Sequence, residues 1–345
     1  VGVIMMSVMN EPDILRRSMV AGAREFLVKP FSLDELLTSV RTVHANTPKV
    51  MLTSASNAEH HIVAPMAIRQ EGRGTVISVA GVKGGIGRST IATNLAVALQ
   101  QSGSRRVALV DANVAFGDVG VMMNVTDAKT MLDAVPYLRQ IDAELLNTIL
   151  VEHSSGVRLL LAPPSPQEAE VVTPDLVKQS VSVLADMYDV VIVDTRPGFD
   201  DLNLGIFDAS DIIMLVVTMD MTSIKDARQF LEVTELLGYP AERVRLVLNR
   251  VNTYSGIPAE EIGDSLRRPL WAQIPDDPGP VLRSINEGVP MVESAPDSKA
   301  AVELRRVSRE LLGELAPDSI QATVDPKAAK SRFGRKLRVS LRSAS

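Results

Sequence analysis

Short apolar runs alternate with longer segments of helical periodicity through most of the chain. The segments between the runs repeat apolar residues every three or four positions, which is typical of helices packed on one side. This alternation predicts an α/β fold with a mostly parallel sheet and helices on both faces. The apolar runs have the length of buried strands and cover 76–80, 107–110, 190–193, 212–217 and 244–248.

A shorter α/β pattern precedes this region. Strands are predicted at Val3–Ser7 and Glu25–Val28, and helices at 11–23 and 32–44. We therefore expect a first α/β unit over residues 1–45.

Residues 46–73 lose the periodicity amid Asn, Thr, Pro, Ser, His and Gly, a composition that predicts a linker. The linker contains His60-His61, a pair that could bind a metal. No cluster of carboxylates accompanies the pair, which favours two solvated histidines. Beyond the linker we predict a main domain at 74–315 and a basic tail at 316–345.

Composition narrows the class of protein. With 46% hydrophobic residues the chain can bury more than one core, and without cysteine it has no disulfide, thiol nucleophile or cysteine metal site. No apolar run approaches the roughly 20 residues of a membrane-spanning helix, and the first residues lack the pattern of a secretory signal. A cytoplasmic protein is expected. Val1 in place of methionine indicates a fragment or a misplaced start.

Charge is divided unevenly along the chain. Residues 326–345 contain many Lys and Arg and no acid, so the rest of the chain is more acidic than the formal net charge of −6 indicates. An acidic body is a poor electrostatic match to a nucleic-acid backbone. We therefore expect no direct DNA binding.

The basic tail allows two interpretations. Phe333, Leu337 and Leu341 recur every fourth residue, so a helix would present an apolar edge and a basic face to an anionic membrane. Gly334 and several serines favour a disordered tail instead. The first interpretation places the protein peripherally at the inner face of the cell membrane.

A glycine-rich turn follows the first strand of the main domain. The segment GVKGGIGRST at 81–90 leads into a predicted amphipathic helix at Ile91–Leu99. A strand, a glycine turn and a helix N-terminus together can hold a polyphosphate, and Ser89 is placed to bind Mg²⁺. Val82 and Arg88 depart from the ordinary P-loop pattern, which has glycine and lysine there. A turn that binds nothing is the alternative.

The segment Lys83–Thr90 resembles the deviant Walker A motif of the MinD/ParA family, which has an additional lysine near the start of the loop. The resemblance implies an ATPase that uses Mg²⁺ and forms an ATP-dependent homodimer, with Lys83 reaching the nucleotide of the partner subunit. It implies ATP binding by Gly84, Gly85, Ile86, Gly87, Arg88, Ser89 and Thr90, and catalytic roles for Lys83 and Arg88.

A second motif follows the predicted strand Val107–Asp111. The segment Phe116–Gly120 resembles the switch region of the CpaE/TadZ pilus-assembly branch of this family. In that branch the second acidic residue of an Asp-x-Asp pair helps to place the attacking water. In this chain Asn113 occupies the position of that acidic residue. The resemblance implies a metal-site role for Asp111 and a catalytic position for Asn113. An amide holds water by a hydrogen bond but is a poor base.

Two further motifs follow in the order of the family. A buried strand ends in Asp194 at the Walker B position, which implies a carboxylate in the Mg²⁺ shell. Gly198 lies where a backbone N–H would sense the γ-phosphate, while Arg196 replaces a proline of the family pattern. Asn249 matches the residue that the family uses against the adenine edge, because one amide both donates and accepts. A turn former at a strand end is the alternative for Asn249.

The first unit resembles the C-terminal half of a response-regulator receiver domain, a flavodoxin-like α/β fold. Ser7 lies at the hydroxyl switch position of that family, and Lys29-Pro30 matches its lysine and the following proline. The half with the phospho-accepting aspartate is absent from this sequence, so receiver-type phosphorylation is not expected. A degenerate receiver used for docking is the alternative.

These features predict an ATP-binding MinD/ParA-like switch protein with slow hydrolysis, acting in the localisation or assembly of a Flp/Tad-type pilus or secretion machine. Slow hydrolysis is expected because the planar fork of Arg88 replaces a compact ammonium and because Asn113 is a poor base. Two alternatives stay open: a non-hydrolysing nucleotide-binding scaffold with a receiver-like docking domain, and a division-site or partition ATPase. A dinucleotide oxidoreductase is excluded, since Ser89 and Asp194 are metal-phosphate features.

Overall fold

In a computed structural model of the chain, the described residues are 3–7, 23–29, 35, 39 and 73–315, the last range without 104, 126, 127 and 139. They divide between a first unit within residues 1–61 and a second within 62–345. The predicted histidine pair of the linker and the basic tail lie outside the described residues. Among the described helices, none has the length and apolar character that crossing a membrane requires.

The first unit contains two parallel strands, β1 at Val3–Ser7 and β2 at Ala23–Val28. Glu35 and Ser39 are helical, in the second of the two predicted helices. The two strand predictions are confirmed. The predicted helix at 11–23 lies outside the described residues except at its last position, where β2 begins.

The second unit is built on an eight-stranded sheet. Its strands in chain order are β3 Thr75–Ala80, β4 Val107–Asp111, β5 Val151–Glu152, β6 Arg158–Leu160, β7 Val190–Asp194, β8 Ile212–Thr218, β9 Val244–Val251 and β10 Leu270–Pro275. Across the sheet the order is β10-β9-β8-β3-β7-β4-β6-β5. All neighbours are parallel except β5 and β6. The loops that follow β3, β4, β7, β8 and β9 therefore converge at one edge.

Helices cover both faces of this sheet, as the alternating pattern predicted. Side chains alternate along β3, so Ile77 and Val79 pack in one core and Val76 in another on the opposite face. The helices are α1 Arg88–Gln101, α2 Val119–Met122, α3 Ala143–Ile149, α4 Pro166–Ala169, α5 Pro174–Met187, α6 Asp201–Ala209, α7 Met221–Leu236, α8 Ala259–Leu266, α9 Pro278–Glu287, α10 Met291–Ser294 and α11 Lys299–Glu314, with 3₁₀ turns at Met131–Tyr137 and Ala241–Arg243.

The helix predicted as amphipathic at Ile91–Leu99 is part of α1, and the prediction of a polar face is wrong. Every residue in that range is buried. The reason is that α1 is covered on its second side by α10 and α11, where the Asn94 side chain accepts a hydrogen bond from the backbone N–H of Val292 at 3.0 Å. The helix that follows the glycine loop is thus a central element of the core.

Candidate functional site

The glycine loop joins β3 to α1 at the carboxyl edge of the sheet. Gly85 and Gly87 have positive φ angles of 74° and 94°, a backbone conformation that favours glycine. A Cβ atom on Gly87 would also lie 2.3 Å from Nδ2 of Asn249. Gly87 is therefore needed both for the turn and for the close packing of the loop against β9.

Asp111 and Asp194 lie side by side at the ends of β4 and β7, where the two residues are register partners. Both are buried. Asp111 accepts hydrogen bonds from the backbone N–H groups of Asn113 at 3.2 Å and Val119 at 3.1 Å. Neither carboxylate oxygen of Asp194 has a hydrogen-bond partner among the described residues. A buried carboxylate without partners is rare, and a bound cation or an ordered water commonly satisfies such a group.

Burial raises the pKa of both carboxyl groups. The charges of Asp194 and Asp118 raise the pKa of Asp111 further, against the backbone hydrogen bonds that it accepts. Burial raises the pKa of Asp194 to about 6, although the nearby Ser89 hydroxyl and Arg88 guanidinium lower it. The Ser89 hydroxyl lies close to this carboxylate without the geometry of a hydrogen bond. A positive charge placed between the two carboxylates would allow both to ionise.

The oxygen donors at this place fit Mg²⁺. The structure brings together the three residues predicted as metal ligands, since Ser89 lies beside Asp194 and Asp194 beside Asp111. Within the described ranges no three carboxylate, histidine or cysteine side chains form a metal cluster by themselves. Mg²⁺ commonly uses one or two carboxylates and completes its shell with water and phosphate oxygens.

Arg88 lies across the floor of the loop and is only 8% exposed. Its Nε donates to the carbonyl oxygen of Thr195 at 3.0 Å, and a terminal nitrogen donates to the carbonyl oxygen of Lys83. Burial lowers the pKa of Arg88, and the neighbouring Asp194 opposes that effect. The guanidinium thus ties the start of the loop to the end of β7 and places a fixed positive charge beside the acidic pair.

Lys83 turns toward its own chain. Its Nζ lies 3.2 Å from Oδ1 of Asp220 and also donates to the Thr222 hydroxyl. Asp220 is the N-cap of α7 and accepts the backbone N–H of Ser223 at 2.8 Å. Burial raises the pKa of Asp220, but hydrogen bonds from Thr222, Thr218, Ser223 and Lys83 outweigh it and hold the pKa well below its usual range.

Asn113 and Gly198 are engaged by contacts within the protein. The Asn113 side-chain Nδ2 donates to the carbonyl oxygen of Phe116 at 2.6 Å, which leaves its amide oxygen to accept. The Gly198 backbone N–H donates to the carbonyl oxygen of Gly81 at 3.1 Å. To sense a γ-phosphate as predicted, this N–H first has to leave the carbonyl oxygen of Gly81.

Asn249 borders a cavity of about 490 Å³ that lies next to the loop and the N-terminus of α1. Its Nδ2 donates to the carbonyl oxygen of Ile86 at 2.8 Å. Among the described residues this contact uses one of the two Nδ2 hydrogens, so the amide can still offer both a donor and an acceptor oxygen to a ligand. The cavity is mostly apolar, and its lining includes Ile91, Ile274, Leu282, Met291 and Leu304.

The sequence interpretation missed several residues of this site. Asp220 ends a loop after a buried strand and caps a helix, as an aspartate before a helical pattern often does, so a signal for it was present. Thr195 contacts Arg88 through its backbone oxygen, a role that does not depend on its side chain and left no signal. Tyr254 and Asp276 also border the cavity, in the loops after β9 and β10, and neither was predicted to have a functional role.

Comparisons with known proteins identify the family of this chain. The family model described as ParA, NUBPL iron-transfer P-loop NTPase, matches residues 73–312. The septum site-determining protein MinD of Thermotoga maritima is 26% identical over 252 residues, which cover 71% of this chain and 90% of that protein.

Solved structures give the same result. The ParA family ATPase from Chlorobium tepidum has a TM-score of 0.65 at 27% identity and covers 69% of this chain and 99% of its own. MinD from Pyrococcus horikoshii in complex with Mg-ADP has a TM-score of 0.62 at 24% identity, covers 70% of this chain and 99% of its own, and is similar in fold. The chain belongs to the ParA/MinD family of P-loop NTPases.

Proposed function

We propose that the protein is an ATP-dependent dimerising switch that hydrolyses ATP slowly. The observation that carries the proposal is the buried pair of Asp111 and Asp194 beside Ser89 and the glycine loop, in which the Asp194 carboxylate has no hydrogen-bond partner among the described residues. These residues would hold Mg²⁺, which neutralises charge on the phosphates and orients them when it is bound. The loop and the N-terminus of α1 are placed to bind the phosphates themselves.

Arg88 and Lys83 supply the positive charge of the site. Arg88 is held by two backbone carbonyls, so its fork is fixed and fewer of its donors remain for phosphate oxygens. A compact lysine ammonium is free to follow the γ-phosphate as charge develops there, whereas a fixed planar fork is not. Arg88 therefore supports binding of ATP more than alignment for hydrolysis.

Asn113 limits the remaining step, the activation of water. Its amide oxygen can accept a hydrogen bond from a water molecule and position it, but an amide cannot take the proton. Hydrolysis then depends on positioning and charge stabilisation alone, which predicts slow turnover and a long-lived ATP-bound state.

The double replacement of Arg88 by Lys and Asn113 by Asp is expected to raise ATP turnover on the order of a hundredfold. The lysine restores a mobile charge at the phosphates, and the aspartate restores a base beside the water. We would measure phosphate release from the full chain with saturating Mg-ATP. Each single variant is expected to give a smaller increase than the pair.

Matched controls are Arg228→Lys and Asn147→Asp, the same chemical changes at exposed positions outside the glycine loop and the acidic pair. These variants should leave turnover unchanged. Unchanged turnover in the double variant, with ATP still bound, would contradict the assignment of slow hydrolysis to the two positions. If the unaltered protein binds no ATP, the proposed function itself fails.

A non-hydrolysing nucleotide-binding scaffold is the second candidate. It is favoured by the contact of Gly198 with Gly81, which occupies the backbone N–H predicted to sense the γ-phosphate. Phosphate release distinguishes the two candidates. A scaffold would bind ATP and dimerise, but neither it nor any of the variants above would release phosphate.

For the cellular role we propose the localisation or assembly of a Flp/Tad-type pilus or secretion machine. The resemblance of the segment 116–120 to the pilus-assembly branch supports it, as does the pair of parallel strands in the receiver-like first unit. Deletion of the gene should abolish surface pili and leave septum placement and chromosome partition normal. The opposite result would favour a division-site or partition ATPase. Peripheral membrane contact through the basic tail stays a prediction.

A further inference from the structure

The cavity beside the glycine loop has an aromatic residue at its mouth. Tyr254 lines this cavity, and 77% of its surface is exposed. Its hydroxyl donates a hydrogen bond to Oδ2 of Asp276, which follows β10 and lines the same cavity. An exposed aromatic ring with a fixed hydroxyl is thus held at the entrance of an apolar cavity.

The backbone that carries Tyr254 is anchored to the phosphate loop. The Asn252 side-chain oxygen accepts from the backbone N–H groups of Tyr254 at 3.2 Å and Ser255 at 2.8 Å. Its Nδ2 donates to the carbonyl oxygen of Arg250 at 2.8 Å. Arg250 in turn donates to the carbonyl oxygen of Gly85 at 2.8 Å. The ring therefore has a defined position relative to the phosphate loop.

We propose that Tyr254 stacks on the base of the bound nucleotide and that Asp276 fixes the ring for this contact. The inference rests on the proposed function, since it requires that ATP binds. The apolar side chains of Ile91, Ile274 and Leu282 line the cavity and can pack against the base. Stacking uses the π face that every base has, so Tyr254 contributes affinity rather than a choice between bases.

Replacing Tyr254 by Ala is expected to weaken ATP binding about tenfold, the effect of losing one stacked base. Tyr254→Phe keeps the ring and should weaken it only about twofold to threefold, as should Asp276→Asn. Inorganic tripolyphosphate carries the phosphates without a base, so its affinity should be the same for all three variants. Titration calorimetry of the full chain with each ligand measures both affinities.

A fluorescence experiment reports the contact directly. The chain has one tryptophan, Trp271, so Tyr254→Trp adds a second one at the cavity mouth. ATP is expected to quench the added fluorescence, and tripolyphosphate is not. Tyr137→Trp is the matched control, because Tyr137 is also exposed and lies on the 3₁₀ turn Met131–Tyr137, outside the cavity lining. Its fluorescence should not respond to ATP.

The outcomes separate the inference from the proposed function. ATP binding with equal affinity in Tyr254→Ala and no quenching in Tyr254→Trp would overturn the stacking role and leave the function intact. Quenching that grows with protein concentration at saturating ATP would overturn it as well, because a second copy of the chain would then cover the ring. Failure of the unaltered protein to bind ATP would overturn both.

Discussion

Replacing Asp194 by Asn is expected to abolish Mg²⁺-dependent ATP binding and to make the nucleotide-free protein more stable. The carboxylate is buried, and neither of its oxygens is paired among the described residues. Its burial therefore lowers the free energy of unfolding of the nucleotide-free protein. The asparagine removes the negative charge that Mg²⁺ requires. It also removes the repulsion between the carboxylates of Asp111 and Asp194. One substitution therefore moves function and stability in opposite directions.

The size and pH dependence of this effect follow from the raised pKa. Because the folded pKa of Asp194 lies at about 6, above the ordinary value of 3.8, the folded state holds its proton more tightly than the unfolded state does. Stability from this group is present below about pH 4 and is lost as the pH rises to about 6. At neutral pH the variant should gain roughly 2–3 kcal/mol, equivalent to a Tm about 5 °C higher.

Differential scanning calorimetry at pH 7.5 and pH 4.5, with and without Mg-ATP, measures both effects. The variant should be more stable than the unaltered protein at pH 7.5, with a smaller difference at pH 4.5, and Mg-ATP should raise the Tm only of the unaltered protein. The Asp186 side chain is 68% exposed, and its Oδ1 lies 4.0 Å from Nε of Arg73, which is a long ion pair. Asp186→Asn is therefore the matched control. A less stable Asp194→Asn at pH 7.5 would contradict the unpaired state of the carboxylate.

Much of the fold was predictable because its main determinants are local in sequence. The apolar runs that end in Asp111 and Asp194 predicted buried strands with acids at one edge, and both strands have those ends. Thr173 and Ser298 immediately precede α5 and α11, and each accepts a capping hydrogen bond there, as threonine and serine commonly do. The polar face predicted for Ile91–Leu99 failed because the covering helices come from a distant part of the chain.

The types of residue that form the site were predictable from the sequence, but the contacts between these residues were not. The motifs indicated Lys83, Asn113 and Asn249, but the hydrogen bonds that these side chains make depend on the folded arrangement. Lys83 and its partner Asp220 are 137 residues apart, and no periodicity relates them. Asn249 uses one of its two amide N–H donors on the carbonyl oxygen of Ile86, a contact that its position at a strand end does not reveal.

Replacing Lys83 by Ala is expected to abolish ATP-dependent dimerisation and to leave ATP binding by the monomer nearly unchanged. In the proposed dimer each Lys83 reaches the nucleotide of the other subunit, and twofold symmetry makes this contact twice. A charge-assisted hydrogen bond contributes about 1.5–3 kcal/mol, so two of them contribute about 3–6 kcal/mol. The dimer dissociation constant should rise on the order of 10²–10⁴-fold.

Sedimentation velocity with a non-hydrolysable ATP analogue measures the dimer, and calorimetry at low protein concentration measures binding to the monomer. Lys129→Ala is the control, because Lys129 is an exposed lysine that donates to the Thr148 carbonyl oxygen. A Lys83→Ala protein that dimerises normally would remove Lys83 from the interface. One that no longer binds ATP as a monomer would place it in its own subunit's site.

The contact with Asp220 sets how easily Lys83 can leave its own chain. The two side chains are 33% and 47% exposed, and an ion pair in such contact with solvent stabilises by no more than about 1 kcal/mol. Asp220→Asn should therefore strengthen the dimer at most about fivefold at each contact, and the asparagine still caps α7. This change in the dimer dissociation constant is smaller than the change expected for Lys83→Ala. If the structural contact were the main role of Lys83, the two variants would instead change the dimer by similar amounts.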